Sequence, residues 1–337
     1  YYNGGGWVAN VALIANVFIL MGTLASMQAS LTLPGIAGIV LTVGMAVDAN
    51  VLINERIREE LRHGKAVKTA VDLGYKHAMS AIIDANVTHF ASAVILYMFG
   101  TGPIKSFGTT LGLGILTSLF TAIFISRLII SRRLEKGKPI SFWHDWNKNI
   151  FANANYDFMG RHRMFYAISA VVILAGAVSM FTRGFSQGVD FSGGRQYVVK
   201  FHEPVPVDDV KASLTKAFVT DDGVEAAVTA KTYGGGSQVM ITTNFMVFDK
   251  DRRTDSIAEA KLRDGLSGMG GGSEVIASRK VDPTISDDIR SGAVWAVSLT
   301  LLFMFVYIAV RFRNWQFGIG AVLALVHDAL IVLSLYS

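Results

Sequence analysis

Residues 33–54 read LPGIAGIVLTVGMAVDANVLIN, and residues 55–65 read ERIREELRHGK. The first stretch runs for 22 residues with one ionisable side chain, Asp48, and the second is crowded with charge. A helix rises about 1.5 Å per residue, so about 20 apolar residues cross the hydrocarbon core of a bilayer. The switch at Glu55 is therefore the pattern of a helix leaving a membrane.

Similar apolar stretches lie at 8–30, 78–100, 104–131, 164–182 and 289–310, and a seventh begins near Trp315 and runs to the end. Over 337 residues, 51% are apolar and only 17% charged, against about 25% charged in a soluble domain. That composition excludes a water-soluble protein, and it excludes long disorder, which needs low hydrophobicity and high charge. With no cysteine, a disulfide framework and a cysteine zinc site are also excluded. Position 1 is Tyr, no signal-peptide pattern follows it, and the last residues lie in an apolar run. The chain is expected to be an internal piece of a longer protein.

Lys and Arg set the orientation. Arg56, Arg58, Arg62, Lys65, Lys68 and Lys76 follow the second span. Segment 127–163 holds Arg127, Arg132, Arg133, Lys136, Lys138, Lys148, Arg161 and Arg163, and Arg311 and Arg313 follow the sixth span. The positive-inside rule makes all three sites cytoplasmic. The turns at 31–33 and 101–105, with one Lys, then face outside, as does the long segment 184–288. That segment holds 12 Lys and Arg against 16 Asp and Glu, a net −4 within a chain of net +5. The basic balance is thus a topology signal and no footprint of nucleic-acid binding.

Within 184–288 the pattern changes to short alternations. Strands are expected at 196–202, 226–233, 238–243 and 274–281, and helices at 207–219 and 254–266. The order β-α-β-β-α-β predicts a ferredoxin-like domain. Gly234–Gly236 falls in a hairpin turn and Gly270–Gly272 follows a helix. No phosphate-binding loop, nucleophile set or HExxH pattern occurs, so a binding or mechanical module is expected.

Three carboxylates fall within the spans, Asp48, Asp84 and Asp328, together with His89 and His327. An Asp in a span costs about 2.5–3.5 kcal/mol on insertion scales, which makes each a functional candidate. Asp84 is the weakest, being one to two turns from the cytoplasmic end. No Arg lies deep in a span, so a cationic partner is expected to be absent or outside this chain. Gly35, Gly38, Gly44 and Ala46 line the Asp48 span, and Gly318, Gly320 and Ala321 precede Asp328, residues small enough for close helix approach. On a helix Asn50 and Asn54 share a face that Asp48 does not. The segment Asp48-Ala49-Asn50-Val51 recurs as Asp84-Ala85-Asn86-Val87. Residues 1–25 also align weakly with 312–336, Asn3 with Asn314 and Asn16 with His327, which suggests two homologous halves.

LPGIAGIVLTVGMAVDANVLINERIREELRHGK (Leu33–Lys65) and SAIIDANVTHFASAVILYMFGTGPIKSFGTTLGLGILTSLFTAIFISR (Ser80–Arg127) resemble consecutive spans of SecD. GVDFSGGRQYVVKF (Gly188–Phe201) is similar to the start of the SecF ectodomain, and RFRNWQFGIGAVLALVHDALIVL (Arg311–Leu333) to a SecF span with a His-Asp pair. The chain thus resembles the SecD/SecF protein-export membrane proteins, in fused form, of the RND superfamily.

The resemblance implies an α-helical polytopic RND-type bundle with an inserted α+β ferredoxin-like extracytoplasmic domain. Residues 1–131 would be a SecD-like membrane region, 132–163 a cytoplasmic linker, 164–183 the first SecF-like span, 184–288 a periplasmic domain, and 289–337 a truncated SecF-like region. It implies a bacterial inner-membrane factor that is no enzyme and uses the proton motive force, with sodium as the other candidate ion, to promote export of unfolded polypeptide. Its partners would be the Sec channel (SecY, SecE, SecG), YajC/YidC-type membrane proteins, the translocating preprotein and the lipid bilayer. No metal or cofactor is implied. Asp48 and Asp328 match the family's membrane carboxylates and are the proton-pathway residues, with Asp84 a weaker third. Asp190, Gly193 and Gly194 match a structural motif where the chain enters the ectodomain, Asp190 capping the turn. An RND-type small-molecule exporter is the alternative.

Overall fold

The computed structural model describes residues 1–29, 31–148, 156–183, 188–220, 223–249 and 253–336. In chain order they form α1 (Asn3–Ser26), α2 (Leu33–Arg62), α3 (Val67–Phe99) and α4 (Gly102–Phe120), which passes through a π-turn (Thr121–Ile125) into α5 (Ser126–Glu135). Then follow α6 (His162–Arg183), the short α7 (Val189–Ser192), β1 (Gly194–Phe201), α8 (Val207–Ala217), β2 (Val228–Thr232), β3 (Gln238–Thr243), α9 (Arg253–Leu266), β4 (Ser273–Val281), α10 (Pro283–Arg311) and α11 (Trp315–Tyr336). The chain divides into two compact units, residues 1–184 with 293–337, and residues 185–292.

The larger unit is all helix. Seven helices among the described residues are long and apolar enough to span a membrane: 3–26, 33–62, 67–99, 102–135, 162–182, 283–311 and 315–336. Their ends differ from the sequence reading. The charged stretch 55–77 is helical apart from residues 63–66, because α2 and α3 continue beyond their apolar segments. Glu, Arg and Leu are good helix formers, and the extension buries Ile57, Val71 and Tyr75 in one core with Ile53 and Ile82. Thr32 caps α2, its hydroxyl accepting from Gly35 N at 3.2 Å, with Pro34 in the first turn. The stretch expected as one uniform span, 104–131, contains the π-turn. Tyr75 and Ser126 share a 2.6 Å hydrogen bond just beyond it, and Ser118 and Thr121 bond back to carbonyls three residues earlier.

Small residues let α2, α3 and α4 approach closely. Gly35 and Gly38 lie against Ser106 and Thr110 of α4, and Gly114 lies against Thr42. Gly108 meets the backbone of α3: a Cβ there would stand 2.8 Å from Tyr97 N and 3.0 Å from Ala93 O. Two glycines expected to line helix contacts do not. A Cβ at Gly44 or Gly320 would meet none of the described residues within 4 Å, whereas Gly318 packs on Phe305 of α10. Periodicity places a small residue on a helix without saying which face meets a neighbour.

The stretch expected to be a cytoplasmic linker, 132–163, opens with the end of α5 and continues as a segment docked on the helices. Ile140 and Phe142 are buried, Gly5 N donates to Ser141 O at 3.2 Å, and Asn3 Nδ2 donates to Trp143 O at 3.1 Å. Asn147 Nδ2 donates to Tyr1 O at 2.7 Å. Arg58, read from the sequence as a cytoplasmic topology signal, is fully buried under this segment. It pairs with Glu55 at 2.8 Å, donates to Asn147 O at 3.3 Å and stacks 4.8 Å from the Tyr1 ring. Residues 149–155, in the second half of the same stretch, lie outside the described residues.

The smaller unit is α+β. Its sheet has the order β2-β3-β1-β4 with all pairs antiparallel, and α8 and α9 connect it in the β-α-β-β-α-β sequence. Tyr197, Val199 and Phe201 of β1 and Val239 and Ile241 of β3 alternate onto one face. Val210, Leu214 and Phe218 from the α8 side and Ala258, Leu262 and Leu266 of α9 complete that core. Arg195, in the same inward register, is 3% exposed. It donates to Asp255 at 2.5 Å and to Phe245 O at 3.3 Å, and Lys280 reaches Asp255 at 2.9 Å. Lys280 and Arg195 together hold the Asp255 carboxyl below its ordinary value.

Two predictions follow from this packing. Gly108→Ala should lower stability by about 1–3 kcal/mol, since backbone cannot yield to the new methyl, while Gly44→Ala stays within about 0.5 kcal/mol. Thermal unfolding of the purified protein in detergent reads the difference. A lowered carboxyl value means that Asp255 stabilises the fold above the unfolded carboxyl pKa of about 3.9 and ceases to do so as pH falls through the folded value. Amide exchange in residues 194–201 should therefore be faster in Asp255→Asn than in the native chain at pH 7, with the gap closing towards pH 3.

Candidate functional site

The three membrane carboxylates stand in different surroundings. Asp48 is on α2, about 22 Å along from Leu33, and its side chain is exposed on the bundle surface. Among the described residues it has no hydrogen bond or ion pair, and it lies within electrostatic range of His89 on α3. Asn50 and Asn54 are buried on another face, as their helical phase requires. They line a polar cavity of about 350 Å³ between α1 and α2, with Tyr2, Asn10 and His144. A polar cavity of that size has room for ordered water.

Asp328 is exposed on α11, about 20 Å along from Trp315. Its Oδ1 lies 3.0 Å from Nδ1 of the adjacent His327. The described contacts do not join Asp48 to Asp328.

Asp84 is tied. Arg311 Nε lies 2.9 and 3.0 Å from its two oxygens, and Arg311 Nη2 lies 2.8 Å from Oδ2. Tyr307 donates to Oδ1 at 2.9 Å, and Arg311 also reaches Ser80 Oγ at 2.7 Å. Tyr307 and Arg311 are four residues apart and so share a face of α10. The expectation that a cationic partner would be absent or outside the chain is therefore corrected for Asp84. Arg311 was legible as a topology signal, but its pairing with a residue 227 positions away was not. The repeated Asp-Ala-Asn-Val segments share one detail: Asn50 and Asn86 each donate to the carbonyl four residues back, at 3.0 and 2.8 Å.

The motif GVDFSGG forms a joint. Val189–Ser192 makes one helical turn, then Gly193 and Gly194 take φ of +68° and +137°. Side chains are disfavoured there. A Cβ on Gly194 would also stand 2.8 Å from Thr243 O, and one on Gly193 would stand 3.2 Å from Pro283 Cα. Asp190 was expected to cap the turn and does not; it pairs with Arg279 of β4 at 2.8 Å. Arg195, next to the glycines, is the motif's buried anchor, and sequence reading passed over it because Arg is seldom interior. No cluster of His, Asp and Glu suited to a metal occurs among the described residues.

The model of the family "Protein export membrane protein SecD/SecF, C-terminal" matches residues 3–136 and 261–337. The chain belongs to the SecD/SecF family. A second model, "SecD/SecF GG Motif", matches residues 178–205 and so covers the paired-glycine joint. The chain is 33% identical to a protein translocase subunit SecDF of Brucella abortus, over 98% of this chain and 42% of that protein. It is 60% identical to a SecD subunit of Magnetococcus marinus over 39% of this chain and 25% of that protein. A crystal structure of SecDF from Thermus thermophilus, described as a translocon-associated membrane protein, superposes with a TM-score of 0.82 at 32% identity, over all of this chain and 44% of that one. The chain thus spans under half the length of the SecDF relatives it matches, and has the fused SecD-SecF layout. It is a polytopic helical membrane protein with an inserted α+β domain.

The tie at Asp84 is testable. Arg311→Ala should separate α10 from α3, seen as reduced disulfide trapping between cysteines placed beside the tie, Ala81→Cys with Val310→Cys. Asp84→Arg combined with Arg311→Asp should restore trapping that either single change loses.

Proposed function

We propose that this chain is the membrane-embedded middle of a SecDF-type subunit that helps the Sec channel move unfolded polypeptide across the bacterial inner membrane, driven by protons cycling on Asp48 and Asp328. Residues 184–288 would be periplasmic, in line with the placement of Lys and Arg. The relatives named as translocase subunits support the role in translocation. One observation supports the choice of carboxylates. Among the described residues neither Asp48 nor Asp328 is paired with a Lys or Arg, Asp328 meeting only the adjacent His327, while Asp84 has both oxygens engaged by Arg311. A carboxylate without a guanidinium on it can take up and release a proton, and one clamped by guanidinium serves better as a tie. The polar cavity beside Asn50 and Asn54 offers room for water near the Asp48 helix. Each charge moved through 100 mV is worth about 2.3 kcal/mol, enough to bias an ectodomain equilibrium tens-fold.

The test is preprotein transport in membrane vesicles carrying the full-length protein, with the proton and sodium gradients collapsed separately. Asp48→Asn and Asp328→Asn should each abolish the gradient-dependent part of transport while the protein still inserts, and Asp84→Asn should leave most of it. Normal transport in the first two variants overturns the proposal. Loss on collapsing sodium alone reassigns the ion.

A further inference from the structure

Asn54 of α2 is 4% exposed, yet its amide makes no hydrogen bond among the described residues. It lines the polar cavity between α1 and α2. Asn50, one turn deeper, lines it too, with Nδ2 donating to Ala46 O. A buried amide without a protein partner calls for water, and a cavity of about 350 Å³ holds several molecules.

Three parts of the chain build the cavity. Asn3 and Asn10 come from α1, Asn50 and Asn54 from α2, and His144 from the docked segment 139–148. That segment also fixes wall residues that it does not supply. Asn3 Nδ2 is bonded to Trp143 O, and the Tyr1 carbonyl accepts from Asn147. The Phe142 ring and the Asn54 amide oxygen meet at Gly5, where each would stand 2.7 Å from an added Cβ. The buried ring thus closes the space between α1 and α2 beside Asn54. Asn54 adjoins Glu55, where α2 leaves its apolar stretch, so the closure is at the end that Lys and Arg assign to the cytoplasm. Its hold is light. Ile140, Phe142 and Asn147 are buried, whereas Ser141, His144, Asp145, Trp146 and Lys148 are exposed. Few buried apolar contacts mark a part that opens at lower free energy than the bundle beneath it.

We propose that segment 139–148 is a strap closing the cytoplasmic end of the amide cavity, and that its release admits water along the Asn50–Asn54 face of α2, the helix that carries Asp48. The strap lies in the join between the SecD-like and SecF-like helices, so displacement of one set against the other would pull on it. The proposal takes its orientation from the function proposed above, but its test involves neither an ion gradient nor a preprotein, so each can fail without the other.

The experiment uses the full-length protein in inverted membrane vesicles, with Asn50→Cys as its single cysteine; this chain has none of its own. A charged, membrane-impermeant methanethiosulfonate is added at the cytoplasmic face. Asn147→Ala removes the bond to Tyr1 and the one from His144 N to Asn147 Oδ1. Labelling at position 50 should become about tenfold faster, the ratio that about 1.4 kcal/mol of lost fastening gives when labelling follows the open population. Phe142→Ala should have the same effect by removing the ring, so the test survives the loss of either variant. A cysteine at Ala46 instead, one turn deeper and 1% exposed, should label slowly with or without either change. Unchanged labelling at position 50 in both variants overturns the proposal, and so does equal acceleration at position 46, which marks a loosened bundle.

Discussion

In hydrocarbon no water is available to satisfy a backbone N–H or C=O, so each must be paired within the protein. That constraint governs the larger unit. It makes every crossing a helix, and it leaves side-chain packing to decide how the helices assemble. Water gives no drive for apolar faces to seek each other there, so contact depends on close fit. Gly35, Gly38, Gly108 and Gly114 supply the fit, each placed where a methyl would meet a neighbour. The same constraint stops at the membrane surface, where α2 and α3 continue as ordinary amphipathic helices around Ile57 and Tyr75.

Polar groups inside this unit fall into two kinds. Some are occupied within the fold: Asn50 and Asn86 bond back along their helices, and Asp84 is held by Arg311 and Tyr307. Asp48 and Asp328 have no such cationic neighbour among the described residues. In the smaller unit Arg195 is interior but bonded to Asp255 and a carbonyl, which lets a charge sit beneath the sheet next to the paired glycines.

Much of this architecture was legible because its physics is local. Twenty apolar residues make a span whatever surrounds them, and the alternation through Tyr197, Val199 and Phe201 makes a half-buried strand. The β-α-β-β-α-β order then leads to the sheet order β2-β3-β1-β4. What stayed hidden was pairing at long range. Asp84 with Arg311, Asp190 with Arg279 and Arg58 with Asn147 each depend on side chains meeting across the fold. Charge sign and position alone gave Arg311 and Arg58 the same reading, as cytoplasmic topology signals. The structure makes one a tie between helices and the other a buried post. Phe142 and Trp143, apolar residues in an otherwise polar stretch, were the available hint that the segment docks.

The docking of that segment changes the mechanics of the join between α5 and α6. Were the chain free from Lys136 to Arg161, 26 residues could extend to about 90 Å. Pinned through Arg58 and Asn147 as far as Lys148, it has 13 residues left, with a contour length of about 45 Å. The greatest separation that chain length allows beyond Lys148 is thus halved by two hydrogen-bonding side chains, and that limit is set by a fastening on the second helix as much as by the number of residues that follow.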